Sequence, residues 1–144
     1  MSFKVSRRSR QAFSLVEIMI VIVIIGLLAG VVGVNIRRNL IQAKQNVAKQ
    51  DIANIVKALD MFWAEAGHYP TNEEGLNVLV EPTEKNAEPL LSGGPSALLD
   101  PWNNPYQYNS PAAEAPYEVI SLGGDGREGG TGGDGDISSV DLKK

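Results

Sequence analysis

The sequence predicts an α+β fold in which one long N-terminal helix packs on a small antiparallel sheet. Three observations favour this class. A helical pattern of apolar residues runs from residue 13 to residue 66, and no proline interrupts it. A strand-like stretch that follows the turn in segment 100–108 and a second one at 117–121 are close enough in sequence to form a hairpin. A segment rich in glycine and aspartate, 121–137, follows the second of them. The length of 144 residues is that of one domain, with room for an appendage.

Charge is unevenly distributed along the chain. The net charge is −4, but residues 1–12 contain four basic side chains and no acidic one. The whole chain has 13 basic residues, so nine remain after residue 12, against 17 acidic ones. A basic N-terminal segment on an otherwise acidic chain argues against nucleic-acid binding, because residues 13–144 have no cationic surface to neutralise phosphates. The absence of cysteine excludes disulfides and thiolate metal sites.

The first half of the predicted helix is apolar on every side. From Phe13 to Val34 there are 22 residues, and Glu17 is the only charged one. About 20 such residues span the hydrocarbon core of a bilayer. Because basic residues precede the run, the sequence predicts a membrane segment at 13–34, with residues 1–12 in the cytoplasm and the body exported. A cleaved secretory signal is the alternative, but the run exceeds the usual ~7–15-residue apolar core.

The second half of the predicted helix, residues 35–66, is amphipathic. Residues 37–66 lack both glycine and proline, and Gly67 is a plausible stop. The apolar positions recur with a helical period and are Leu40, Val47, Ile52, Ile55, Val56, Leu59, Phe62 and Trp63. Segment 52–63 is expected to pack on the C-terminal part of the chain, residues 67–144, which we call the head. Residues 13–66 thus form one helix of about 54 positions, approaching ~80 Å in length.

Glu17 is the unexpected residue of the apolar run. Burying a carboxylate in a membrane costs ~2.5–3.5 kcal/mol on insertion scales, so such residues usually have a partner. A cut immediately before Phe13 would create an α-amino group one helical turn from Glu17, in the same chain or a neighbouring one. The alternative is that Glu17 lies at the membrane interface and is merely tolerated.

The N-terminal residues resemble a known signal. A basic leader, then "AFSLVEIM", then an unbroken apolar helix is similar to the class III signal of type IV pilins and pseudopilins. The resemblance implies that a prepilin peptidase removes leader 1–12 by cutting between Ala12 and Phe13. It also implies methylation of the new Phe13 amine and a role for Glu17 in subunit docking. The chain departs from the pattern at Ala12, where glycine is usual, and at Val34, where proline is common.

The head, residues 67–144, begins with a turn and a predicted short helix at 73–80. Residues 81–99 are rich in proline, glycine, glutamate and serine, and are expected to form a loop. The segment "DPWNNPYQY" (100–108) predicts a constrained turn that leads into a strand, with Trp102 and Tyr106 as packing anchors.

These head segments resemble the major pseudopilins of the type II secretion system. The matching stretches are "YPT…EGL", "DPWNNPYQY" and "SLGGDG", and the resemblance extends from Ala12 to Ile137. Asn103 stands where glycine is usual, a mild change because asparagine tolerates a left-handed backbone. Gly124 replaces the usual alanine. The resemblance implies a pilin-like fold with a C-terminal calcium-binding loop.

The loop at 121–137 is the one place with the chemistry of a binding site. It has eight glycines between positions 123 and 136, together with three aspartates and one glutamate. Ca²⁺ takes 6–8 oxygen ligands from carboxylates and backbone carbonyls. Such a tract is, by itself, more often a flexible linker. The resemblance implies one Ca²⁺ and a ligand set formed by the backbone oxygens of Leu122 and Arg127 and the side chains of Asp125, Asp134 and Asp136. Glu128 or water is the alternative to Asp134.

The implied function is structural rather than enzymatic. The single histidine, His68, is expected in a turn, and no phosphate-binding motif is present. The resemblance implies a pseudopilus subunit, anchored by a single pass in the inner membrane of a Gram-negative bacterium, with its head in the periplasm. Its filament would export folded proteins across the outer membrane. Implied partners are further copies of the chain, minor pseudopilins, the inner-membrane secretion platform, the prepilin peptidase and the membrane itself.

Three alternatives to this function remain. A type IV pilin is disfavoured because such pilins often close a C-terminal loop with a disulfide, and this chain has no cysteine. A minor pseudopilin at the filament tip is disfavoured by Glu17 and the calcium-type loop. A membrane-anchored calcium-binding protein would keep its leader.

Overall fold

A computed structural model describes residues 13–82 and 87–143 of the chain. The predicted leader, 1–12, and with it Ala12 at the predicted cut, lies outside the described residues. The chain divides into two compact units, Met1–Arg38 and Asn39–Lys144.

One helix, α1, extends over 52 residues, Leu15–Ala66, and confirms the predicted helix apart from a start two residues later. It ends where glycine allows a left-handed turn: Gly67 has φ 80°, and its N–H donates to the Trp63 carbonyl at 2.8 Å. In the first unit the described apolar side chains of α1 are all exposed.

The predicted membrane segment, 13–34, extends into residues 31–34, whose side chains lie outside the description. Among the helices of the described residues, none has an apolar stretch long enough to cross a membrane.

In the second unit, the core lies between one face of α1 and the head. The α1 side chains that are almost fully buried are Ala48, Ile52, Ile55, Ala58 and Leu59. The head residues buried against them are Leu76, Leu79, Leu91, Tyr106, Tyr117, Val119 and Ile137. The apolar pattern of α1 is therefore only partly a core pattern. Leu40 and Val47 are exposed. Trp63 lies at the margin of the core, because its ring stacks on the head residue Tyr69 while 51% of the residue stays exposed.

The sheet has three antiparallel strands in the order β1 (Gln107–Asn109), β2 (Glu118–Ser121) and β3 (Ile137–Ser138). The predicted hairpin is confirmed by the pairing of β1 with β2, in which Tyr108 lies opposite Val119. The sequence analysis did not predict β3, which is only two residues long and follows the glycine-rich loop.

The predicted helix at 73–80 is a single 3₁₀ segment, Gly75–Leu79, that buries Leu76 and Leu79. The Thr71 N–H and hydroxyl both donate to Glu74 Oε2, at 2.8 and 3.0 Å, and order the turn that precedes it. Another 3₁₀ segment, Gly94–Leu98, lies within the predicted loop 81–99, of which residues 83–86 are outside the description.

Candidate assembly segment and cation-binding loop

The two predicted assembly residues lie at the start of α1. Phe13 precedes the helix and is 75% exposed, while Glu17 lies exposed in its first turn. A carboxylate in the first turn interacts favourably with the partial positive charge of the helix N-terminus. Both side chains are therefore accessible to another chain.

Asp100 organises the turn that supports the glycine-rich loop. Its carboxylate is buried, and Oδ1 accepts the N–H groups of Trp102 at 3.0 Å and Asn104 at 2.9 Å. Oδ2 accepts the hydroxyl of Ser121, at the end of β2, at 2.7 Å. The turn is thereby tied to the sheet. Within it, Asn103 has φ 71°, which confirms the left-handed backbone anticipated from the residue type.

The glycine-rich loop folds back on itself directly after β2. The Asn104 side-chain amide donates to the Gly123 carbonyl at 2.9 Å, and the Gly124 N–H donates to the Gly133 carbonyl at 2.9 Å. Gly123 has φ 65°, and a Cβ there would lie 2.9 Å from the backbone carbon of Asp134. Glycine is needed at this position because the two arms of the loop meet there.

The carboxylates of the predicted calcium ligands lie in this loop, but the structure does not assemble them into one cluster. Asp125 Oδ1 accepts the Arg127 N–H at 3.1 Å, and Asp136 Oδ2 accepts the Gly129 N–H at 2.8 Å. The Asp134 carboxylate lies against Gly124, where a Cβ would meet its Oδ1 at 2.8 Å. No group of three or more His, Cys, Asp or Glu side chains in the described parts of the chain is placed to hold a metal ion.

Of the predicted backbone ligands, Leu122 is buried directly after β2 and Arg127 is exposed in the loop. Glu128, the predicted alternative to Asp134, is exposed beside it. The loop holds four acidic residues and one basic residue, a net charge of −3. Carboxylate and carbonyl oxygens are the donors that Ca²⁺ prefers, so the donor set fits this ion chemically.

The loop is docked on α1 by contacts that the sequence analysis missed. The Gln45 side-chain amide donates to the Gly132 carbonyl, 87 residues away. A Cβ at Gly133 would lie 2.9 Å from a methyl carbon of Ile41. The turn that supports the loop also contacts α1, because the Lys44 ammonium lies 5.7 Å from the centroid of the Trp102 ring, a cation–π distance. No local sequence signal links positions this far apart, although the glycine tract does indicate a close approach of backbone.

Tyrosine hydroxyls tie the head to acidic residues of α1. The Tyr106 hydroxyl donates to Asp51 at 3.3 Å, and those of Tyr69 and Tyr117 donate to Asp60 at the same distance. Burial is the largest cause, and the nearby carboxylates the next, of a pKa well above the ordinary tyrosine value for both Tyr106 and Tyr117. Both hydroxyls are therefore protonated donors at neutral pH. Tyr106 is an anchor in the core, as predicted, and Trp102 packs against it half-buried.

His68 lies exposed in the turn after α1. Its Nδ1 is 3.0 Å from the Tyr69 carbonyl oxygen, and its ring meets Phe62 edge-on at 5.8 Å. The prediction of a turn residue is confirmed.

Comparison with known proteins gives consistent results across the chain. The family model described as "Type II secretion system (T2SS), protein G" matches residues 35–140, and the "Prokaryotic N-terminal methylation motif" matches residues 7–33. The "Type II secretion system core protein G" of Pseudomonas aeruginosa is 42% identical over 94% of this chain and 98% of its own. The protein of the same name from Vibrio cholerae is 40% identical over 94% and 95%.

A solved structure is similar as well. The crystal structure of the major pseudopilin from the type 2 secretion system of enterohaemorrhagic Escherichia coli aligns with a TM-score of 0.59 and 25% identity. The alignment covers 75% of this chain and 96% of that one. The α+β fold with a long N-terminal helix on a small antiparallel sheet is thus confirmed, and this chain belongs to the protein G family of the type II secretion system.

Proposed function

We propose that this chain is the structural subunit of a type II secretion pseudopilus, a filament of many copies that drives folded proteins across the outer membrane. The observation that carries the proposal is that the methylation motif and an exposed apolar helix surface occur in the same N-terminal segment. The N-terminal methylation motif, residues 7–33, includes the beginning of α1, and the described apolar side chains in the first half of this helix are exposed in the single chain. Such a surface needs a partner, and identical helices from neighbouring copies provide one.

We also propose a location for the subunit before assembly. The 22-residue run 13–34 with one charge, preceded by four basic residues, supports a single pass through the inner membrane with the head in the periplasm. In the filament, neighbouring copies would replace lipid around α1. The further proposed partners are minor pseudopilins, the inner-membrane platform and the prepilin peptidase.

Processing of the N-terminus is the first test of this proposal. Mass spectrometry of the full chain, expressed with a prepilin peptidase, is expected to find residues 1–12 removed and the amine of Phe13 methylated. Ala12→Gly, which restores the residue usual at this position, serves as the control for efficient cleavage. A mature form that still contains Lys4 would contradict the processing, and would favour a membrane-anchored protein that keeps its leader.

Calcium in the glycine-rich loop is a further part of the proposal. The carboxylates of Asp125, Asp134 and Asp136, with the carbonyl oxygens of Leu122 and Arg127, would hold the ion, and Glu128 or water would substitute for Asp134. The hard oxygen donors and the net charge of −3 support this assignment. The bound ion would neutralise the loop and fix its fold between β2 and β3.

Ca²⁺ is therefore expected to raise the thermal unfolding temperature of residues 38–144, which contain the whole second compact unit. A ligand at 100 times its Kd stabilises the folded state by about 2.7 kcal/mol, which shifts the transition by several degrees in a domain of this size. Asp125→Ala is expected to abolish the shift, whereas Glu114→Ala, outside the loop, keeps it. The same transition with Ca²⁺ and with chelator would mean that the loop binds no calcium.

A further inference from the structure

The outer edge of β1 has free main-chain hydrogen-bonding groups at Tyr108. The Ser139 N–H donates to the Val119 carbonyl at 2.9 Å, and the Val119 N–H donates to the Ser139 hydroxyl at 3.0 Å. The main-chain groups of Val119 therefore face away from β1. In an antiparallel pair, residues that exchange main-chain bonds alternate with residues that do not. Because Tyr108 lies opposite Val119, its own N–H and C=O must point away from β2.

The two neighbouring positions on this edge support the same orientation. The Tyr106 N–H donates to the Leu98 carbonyl at 3.0 Å, and the Ser110 N–H donates to Asn72 Oδ1 at 2.7 Å. Both partners lie outside the sheet, on the outer side of β1. Between them, the outward N–H and C=O of Tyr108 have no hydrogen-bonding partner among the described residues. Free strand edges of this kind are templates for another strand.

A cavity of about 440 Å³ opens beside this edge. We call it the edge groove. Its lining includes the side chains of Leu76, Leu98, Pro105 and Tyr108, with the amides of Asn72 and Asn77 exposed at its rim. Its volume lies within the ~300–1,000 Å³ typical of ligand sites. An apolar floor with amide groups at the rim suits a peptide main chain and one apolar side chain.

The charges around the edge groove are acidic. The residues that line the groove are uncharged, and Glu73 and Glu74 directly follow the lining residue Asn72 in the sequence. The Thr71 hydrogen bonds hold the pKa of Glu74 below its usual range, so this carboxylate is ionised at neutral pH. Burial raises the pKa of Tyr108, and the negative charge of Glu74 contributes to the shift. A ligand with a positive charge is therefore favoured over a neutral or negative one.

We propose that the edge groove binds an extended, basic segment of another polypeptide, which forms main-chain hydrogen bonds with the N–H and C=O of Tyr108. This is strand addition at a sheet edge, in which the main chain contributes affinity and side-chain pockets contribute specificity. The contact is short, because the N–H groups of Tyr106 and Ser110 are already bonded within the head. The inference does not rest on the filament role of α1.

The test uses the full chain, labelled with ¹⁵N in detergent micelles, and two capped peptides. One is acetyl-Thr-Val-Lys-Val-Thr-amide, and the other has glutamate in place of lysine. The lysine peptide is expected to slow hydrogen exchange of the Tyr108 N–H and to bind more tightly than the glutamate peptide. Unchanged exchange at Tyr108, or equal affinity for the two peptides, would overturn the proposal.

Two variants separate the groove from the rest of the surface. Asn77→Trp, at an exposed rim position, is expected to fill the groove and abolish binding, whereas Asn46→Trp, on the exposed surface of α1, leaves it unchanged. Glu74→Gln is expected to weaken binding of the lysine peptide about two- to fivefold.

If Tyr108 exchange instead slows when the concentration of the chain alone is raised, the occupant is a second copy, and the assignment to another polypeptide is wrong.

Discussion

A Glu17→Ala chain is expected to be cut before Phe13 and yet to be lost from the filament. The carboxylate lies in the first turn of α1, exposed, with apolar residues on all sides. An unpaired charge in a membrane costs up to ~2.5–3.5 kcal/mol on insertion scales, and in the proposed filament the α-amino group of a neighbouring Phe13 would offset the cost of burying Glu17. Alanine removes the attraction that selects this register, while leaving the rest of the apolar surface unchanged.

The measurement combines electron microscopy of assembled filaments with an assay of protein secretion in cells that carry only the variant. Glu17→Gln keeps the shape of the side chain without its charge, and it is expected to fail equally. Glu65→Ala, in the last turn of the same helix, is the control that keeps both filaments and secretion. Normal filaments from the Glu17→Ala chain would show that Glu17 has no docking role.

Asp100→Ala is expected to destabilise the head by about 3 kcal/mol or more. The substitution leaves three donors without their acceptor, the N–H groups of Trp102 and Asn104 and the hydroxyl of Ser121. A fully buried donor left unsatisfied, such as the Ser121 hydroxyl, costs about 1–3 kcal/mol, the two part-buried N–H groups cost less, and such costs are not additive. The turn that carries Asn104, and through it the Gly123 carbonyl, would also lose its fixed position.

Urea unfolding of residues 38–144 measures this effect. Asp100→Asn keeps one carbonyl oxygen as an acceptor, and its amide can donate to the Ser121 hydroxyl, so we expect a smaller loss. Glu114→Ala, at an exposed position in the loop between β1 and β2, is expected to change the free energy of unfolding by less than about 0.5 kcal/mol. An Asp100→Ala head as stable as the Glu114→Ala head would contradict the proposed role of the buried carboxylate.

The sequence alone was sufficient for the features that have a local physical cause. The helix was predictable because its two signals, the helical period of apolar residues and the lack of proline, are local in sequence. The observed helix, Leu15–Ala66, closely matches the predicted range 13–66. The β1–β2 hairpin and the left-handed backbone of Asn103 were predictable for the same reason. Composition alone also showed that the carboxylates proposed to bind Ca²⁺ lie in one loop, 121–137.

Only the tertiary structure decided which distant segments meet. Periodicity shows that a helix has an apolar stripe, but it does not show that Leu40 and Val47 are exposed, or that Trp63 contacts the head at Tyr69 with half of its surface exposed. The docking of Gln45 on Gly132, the bond from Ser121 to Asp100 and the free edge at Tyr108 all depend on contacts between residues far apart in sequence. Such contacts arise from packing of the whole head, which no short stretch of sequence specifies.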